Sequence, residues 1–365
     1  MKKKLIVLLG LAAALVVIIF IFISCQGSAD VAASKASSTT VAVASETSST
    51  DVVEGDDTTA AGVSDGSCTD CHNDTTLIVS KKIQWSSSLH GSGNTFERNT
   101  AACAICHTSE GFTERIDAGT FEVAADVQNA TPINCRTCHN IHETYTKDDW
   151  SLANTDPVTI EITGDVYDKG NSNLCANCHQ PRPGNEVTVA GGPDFEITSA
   201  RYGPHYGTQS TMLLGVGGYG EEYKGSNVHY DAVDEGCISC HMTDTAFGKQ
   251  AGGHTMNVAR EGEGEEGEPI PYLVGCIKCH EDIESFDRNG VQTEVAAMVE
   301  ELHSLLVKQG VLDAESGLAI PGIYSSEQAG ALWNYKTITG DRSMGIHNPG
   351  FAKFLLQTAL DALKK

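Results

Sequence analysis

Aromatic side chains are scarce, at 6% of a 365-residue chain whose apolar fraction is an ordinary 40%. With 37 glycines as well, the sequence is rich in loops and short of the large side chains that fill an interior. Something other than side chains is expected to occupy part of the core. Basic residues are scarce too: 24 Lys and Arg stand against 48 Asp and Glu, a formal net charge of −24. That balance argues against a nucleic-acid partner, whose phosphates it repels. It suits a soluble partner with a basic face, a cationic metal species or plain solubility. Missing as well are a nucleotide-binding glycine motif, a zinc-protease motif and a catalytic-triad signature.

One long apolar run is present. Lys2, Lys3 and Lys4 precede an unbroken stretch from Leu5 to Ile23 that ends at Ser24-Cys25. Residues 1–24 read as an export segment. Two outcomes are open: Phe22-Ile23-Ser24-Cys25 resembles a lipobox, which makes Cys25 the lipidated residue of a lipoprotein, or the run stays as an uncleaved anchor. Either way the body is expected outside the cytoplasm, at the cell surface, outer membrane or periplasm. Residues 25–66 are rich in Ser, Thr and Ala and read as a disordered tether.

The rest is organised by six pentads of the form C-x-x-C-H. They comprise Cys68, Cys71 and His72; Cys103, Cys106 and His107; Cys135, Cys138 and His139; Cys175, Cys178 and His179; Cys237, Cys240 and His241; and Cys276, Cys279 and His280. Twelve of the 13 cysteines fall in these pentads, and Cys25 is the exception. Cysteines three apart lie on one face of a helical turn and reach the two vinyl groups of one haem. The adjacent histidine then comes under the iron as its proximal ligand. The pattern is the signature of c-type haem attachment, so six haems c are the expected cofactors. Zinc sites also use C-x-x-C pairs but do not require the following histidine. A disulfide framework gives no reason for the histidines at all.

The pentads span residues 68–280, which leaves about 35 residues for each. That is too little protein to wrap each haem separately, so neighbouring macrocycles are expected to pack together and supply the missing core. Folding is then expected to depend on haem attachment.

An iron with histidine on both faces is full and passes electrons only, whereas an open distal face binds substrate. Seven histidines lie outside the pentads. His90, His142, His205, His229 and His254 are expected distal ligands, several of them in glycine-rich loops that permit close approach. His303 and His347 compete for the last place. His303 sits on the edge of an amphipathic helix expected over Gln292–Gln309. His347 precedes Asn348-Pro349 and a helix expected over Phe351–Leu363, and is favoured. Met242 and Met256 lie near the motifs and read as packing side chains.

The expected fold is mostly irregular, with short α-helices around a chain of six haems and a minor β-hairpin element. The β-like runs are Val158–Thr163, Glu186–Ala190 and Phe195–Thr198. Residues 67–290 form the six-haem core, and residues 291–365 a helical C-terminal cap that supplies one distal histidine.

With these patterns the sequence resembles the bacterial multihaem c-type cytochromes of anaerobic and extracellular respiration, over about residues 66–365. Beside the pentads, the segments Gly203-Pro204-His205-Tyr206-Gly207, Gly252-Gly253-His254-Thr255 and Gly345-Ile346-His347-Asn348-Pro349 carry the resemblance. The last segment is similar to the C-terminal part of the pentahaem nitrite reductase and octahaem reductase superfamily, which implies a distal role for His347. Those nitrite reductases carry one attachment motif ending in lysine at their catalytic haem, whereas all six here end in histidine. Hexahaem and tetrahaem surface lipoprotein cytochromes, some of which stack into filaments, are the nearer analogy.

Electron transfer is therefore expected in preference to catalysis. The partners expected are other redox proteins or extracellular acceptors, with a lipid or N-terminal anchor in the membrane. The rivals are a reductase of small nitrogen or sulfur oxyanions with one open haem, and the protomer of a haem filament.

Overall fold

The computed structural model describes residues 76–184, 186–245, 250–262 and 267–364, all within the compact unit Gly62–Lys365. The export run, Cys25, the tether and the first pentad (Cys68, Cys71 and His72) lie outside the described residues.

Short elements hold the pentad-bearing part. Helix α1 (Thr76–Ser86) carries the buried Gln84, and its Trp85 Nε1 donates to Ile133 O at 2.9 Å. Helices α2 (Ala101–His107) and α3 (Ser109–Ala118) are divided by Thr108, which is extended and accepts from Gly111 N at 3.0 Å to cap α3. A Cβ at Gly111 would lie 2.6 Å from the Ala104 backbone, so only glycine lets α3 fold back so closely on α2. The second pentad closes α2. The third pentad opens the turn Cys135–Cys138, the fourth starts inside the turn Asn173–Ala176 and runs past it, and the fifth fills Gly236–His241.

The strands are two or three residues long. β1 (Val158–Thr159) and β2 (Val166–Tyr167) form a hairpin whose Val158, Ile160 and Tyr167 pack with Ala176 of the fourth pentad. Three further pieces follow β3 (Phe195–Ile197): β4 (Ala259–Arg260), β5 (Ile270–Pro271) and β6 (Gly322–Tyr324). β4 pairs with β5 and β3 with β6, both antiparallel. Two expectations are corrected here. Glu186–Ala190 forms no strand: alternation makes a strand only where a neighbour completes the ladder, and Val189 is 75% exposed. Residues 195–197 join no local hairpin but pair with 322–324, which ties the middle of the chain to its C-terminal part.

The main apolar core lies with the last three helices. α4 (Val291–Lys308) matches the expected Gln292–Gln309 within a residue and turns Val295, Leu302 and Leu306 inward at helical spacing. α5 (Ser326–Asp341) starts with a reciprocal cap between Ser325 and Gln328 and is buried along most of its length. Its Asn334 Nδ2 donates to Tyr219 O and Leu355 O, both at 3.0 Å, and its Trp333 Nε1 donates to Gly217 O at 2.8 Å. α6 (Pro349–Leu363) begins with proline in its first turn, while Asn348 caps Phe351 N at 3.0 Å. Phe351, Leu355, Leu356 and Leu360 join Leu302, Leu306, Leu332, Ile197 and Met212 in one cluster. Each such large side chain contributes roughly 1.5–3 kcal/mol on burial. No described helix is long and apolar enough to cross a membrane.

Candidate functional site

Five of the six pentad histidines lie among the described residues, and each faces a second histidine. The ring centroids are 6.1 Å apart for His107 and His205, 6.1 Å for His139 and His254, and 6.2 Å for His90 and His179. They are 6.2 Å apart for His229 and His280, and 6.4 Å for His241 and His347. Edge-to-face ring contacts span about 4.5–7 Å between centroids, so the separation gains its meaning from its recurrence and from the histidines it joins. A metal held between two trans imidazoles needs about 2.0 Å per bond plus about 1.1 Å from each nitrogen to its ring centre, a separation of roughly 6.2 Å. The same gap recurs five times, between residues as far apart in sequence as His139 and His254.

Hydrogen bonds fix the rings in the tautomer a metal requires. Where Nδ1 donates its proton to an acceptor, Nε2 is left with a lone pair. His139 Nδ1 pairs with Trp150 O at 2.8 Å, His229 Nδ1 with Ile346 O at 2.6 Å, and His241 Nδ1 with Met256 O at 2.9 Å. His179 Nδ1 reaches Gln209 Oε1 at 3.2 Å, and His347 Nδ1 reaches Asp341 Oδ1 at 2.6 Å. His90 Nδ1 lies 3.0 Å from the Met256 sulfur, while His254 Nδ1 is buried without a partner. Burial lowers the pKa of His90, His205 and His254 to about 4, reinforced by His179 at His90, by His107 at His205 and by Lys81 at His254. All three are thereby held neutral, the form that binds metal. At His347 burial again disfavours the charge, but the Asp341 carboxylate outweighs it and the pKa is raised.

The backbone delivers these rings by specific means. The Gly252-Gly253 pair has φ of +72° and +51°; a Cβ on Gly253 would meet Gln84 Oε1 at 2.6 Å. Gln84 Oε1 instead accepts from His254 N at 3.0 Å, which binds the ring's own backbone to α1. At the other end, Ile346 O receives His229, His347 presents its ring, and Asn348 caps α6, so one short segment serves two pairs. Asn227 Nδ2 donates to His347 O at 2.9 Å and Leu213 O at 2.8 Å, pinning that segment from the opposite side.

The pentads are contiguous. The thiol of Cys106 lies beside that of Cys178, and that of Cys175 beside that of Cys237. Cys138 stands close to Cys175 and Cys178, and Cys240 close to Cys276. The fourth pentad thus lies near the second, third and fifth, and the fifth near the sixth. None of the ten described cysteines (Cys103, Cys106, Cys135, Cys138, Cys175, Cys178, Cys237, Cys240, Cys276 and Cys279) is in a disulfide. Arg115 is buried beside Cys106 and Cys178. Its Nη2 donates to Asn177 O and Oδ1 at 2.9 and 3.0 Å, its guanidinium lies over Phe121 at 4.2 Å, and no described carboxylate pairs with it.

His142 stacks on Tyr145 with centroids 5.2 Å apart, and the pentad histidine left for it, His72, lies outside the described residues. His303 packs its ring 5.9 Å from Tyr335 and faces no described pentad histidine. The sequence expects Met242 and Met256 to be packing residues. Met256 does more, because its carbonyl orients His241 and its sulfur meets His90. Sequence reasoning also missed Gln84, Gln209 and Asp341. None carries a local signal, since each acts across a tertiary contact or a backbone reversal.

Among the described residues no group of three or more His, Cys, Asp or Glu converges as a bare metal ion requires. Each pair offers two opposed nitrogens, which suits a metal whose other positions are already filled by a macrocycle. Exposed apolar side chains border the pairs: Leu89 at 73%, Val228 at 70% and Ile277 at 47%. They offer apolar surface where a flat hydrophobic group would lie.

No protein-family model matches the chain, and no curated protein sequence matches it. Among solved structures the chain is similar to the outer cell wall cytochrome OcwA, with 21% identity and a TM-score of 0.49 over 78% of this chain. The chain spans about half the length of that cytochrome, covering 50% of it.

Proposed function

We propose that the chain is a six-haem c-type cytochrome that carries electrons outside the cytoplasm, with every iron held between two histidines. The observation that carries this reading is the repeated separation of 6.1–6.4 Å between a pentad histidine and a second histidine. In each site the two cysteines hold the macrocycle by thioether bonds and the pentad histidine serves as proximal ligand. The distal ligands are His205, His254, His90, His347 and His229 for the second to sixth pentads in that order. By elimination His142 serves the first pentad, opposite His72. Bound haem supplies one-electron ferric–ferrous chemistry at low potential. The residues leave no coordination position for a substrate in the five described sites, which favours electron transfer over reductase activity. The run from Leu5 to Ile23, with Cys25 as lipid attachment, supports a membrane-anchored lipoprotein facing a redox protein or an extracellular acceptor.

Electron paramagnetic resonance on the oxidised, fully loaded protein tests the reading, with haem quantified in parallel. Six low-spin haems per chain are expected. One equivalent of high-spin haem would show an open site and favour a reductase of small oxyanions.

A further inference from the structure

The five described pairs are not equivalent in what their outer nitrogens meet. The acceptors of His139, His229, His241 and His179 are neutral carbonyl oxygens, of Trp150, Ile346, Met256 and Gln209 respectively. His90 meets a thioether and His254 nothing. His347 alone among them meets a carboxylate, Asp341 Oδ1, at 2.6 Å. That carboxylate is 3% exposed, and its other oxygen is held by the Ser343 hydroxyl and backbone. The turn that brings the two together has Arg342 and Met344 in the left-handed region, at φ of +64° and +48°.

A carboxylate accepting Nδ1–H draws the proton from the ring and gives it imidazolate character. Nε2 then donates more strongly to a metal, and the buried negative charge further favours the more positive, oxidised state. Both effects lower a reduction potential. Beside the second and fourth pentads the sign is reversed, because Arg115 is a buried cation near Cys106 and Cys178 with no described carboxylate to neutralise it. A positive charge there favours the reduced state at the second and fourth sites.

We infer that Asp341 makes the His241–His347 site the lowest in reduction potential of the five described, placing a step between pentads two to four and pentad six. The inference rests on the bis-histidine reading proposed above. Its position follows from the neighbours of the fifth pentad, whose Cys237 lies beside Cys175 of the fourth and whose Cys240 lies near Cys276 of the sixth. A site of that kind in the linking place is a positioning device for traffic between two groups of centres. Asp341 touches no haem atom in this account and acts through His347.

The test is a spectroelectrochemical titration of the haem-loaded full chain, with paramagnetic resonance following each low-spin haem. Asp341→Asn keeps an oxygen acceptor for Nδ1 but removes the charge. The lowest wave is expected to rise by at least a tenfold change in its oxidised-to-reduced ratio at fixed potential, about 59 mV for one electron. Ser343→Ala leaves the charge but removes a donor from Asp341, and the same wave is expected to fall. The other five waves stay in place in both variants. If all six haems are low-spin and the lowest wave moves in neither variant, or a different wave moves, the inference is overturned while the bis-histidine reading stands. High-spin haem in the unsubstituted protein, or an unchanged spectrum in His347→Ala, overturns the ligation itself and this inference with it.

Discussion

Gln84 and His254 stand 170 positions apart in the chain, yet the side-chain oxygen of the first accepts the backbone N–H of the second at 3.0 Å. Gln84 is 4% exposed, so the bond is sheltered from water. It holds the glycine-rich turn that presents His254 toward His139. Replacing Gln84 with alanine leaves that N–H buried and unpaired, at a cost of about 1–3 kcal/mol. A lower midpoint in chemical denaturation of the haem-loaded protein, with an unchanged slope, is the expected result. A broadened resonance from one low-spin haem is expected alongside it, since the ring loses its backbone anchor.

His205 and His303 provide a matched pair. Both are half-buried histidines outside the pentads, but His205 faces His107 at 6.1 Å whereas His303 lies against Tyr335. His205→Ala is expected to convert one haem equivalent from low-spin to high-spin in the oxidised protein. His303→Ala is expected to leave the spectrum as it was and to change stability by no more than about 1 kcal/mol, as a partly exposed side chain off the core. A high-spin signal from the His303 variant would reverse the assignment.

The apolar core is unevenly placed. Its main cluster belongs to α4, α5 and α6 with Ile197 and Met212, while the pentad-bearing segments contribute a much smaller one. A chain prepared without haem attachment is therefore expected to keep α4–α6 and to lose order around residues 101–180. Amide hydrogen exchange read segment by segment checks this: protection should persist over residues 291–363 and vanish over α2 and α3. Uniform protection along the described residues would mean that the macrocycles are not needed as core.

The sequence was most legible where a periodic or covalent requirement acts locally. On the haem reading proposed above, the pentads follow from the reach of two thiols and a ring. The apolar stripe of Val295, Leu302 and Leu306 marks α4, and Asn348-Pro349 marks the start of α6. α5 escaped notice because it is surrounded: Leu332, Trp333, Asn334, Thr337 and Ile338 are all buried, so no polar face alternates with an apolar one. Its one local sign was the reciprocal cap of Ser325 and Gln328. Glu186–Ala190 misled for the opposite reason, since its alternation had no neighbouring strand to pair with. The partners of the histidine nitrogens were illegible altogether. Met256 O, Ile346 O and Trp150 O are main-chain atoms, and where a carbonyl points depends on the path of the chain and not on the residue that carries it.

The segment from Asp341 to Asn348 has a bearing on the order of assembly. His229 waits for Ile346, 117 residues further on, to fix its ring, and His241 faces a histidine from the same turn. If the chain is exported N-terminus first, as proposed above, the fifth and sixth pentads emerge long before that turn. The fifth site keeps one histidine until the C-terminal helices dock, and the sixth has both histidines but no acceptor for His229 Nδ1, whereas His90 precedes its partner His179 and is already in place. Packing of α5 against α6 thus becomes the event that brings His347 to the fifth site and fixes the His229 ring of the sixth at the same moment.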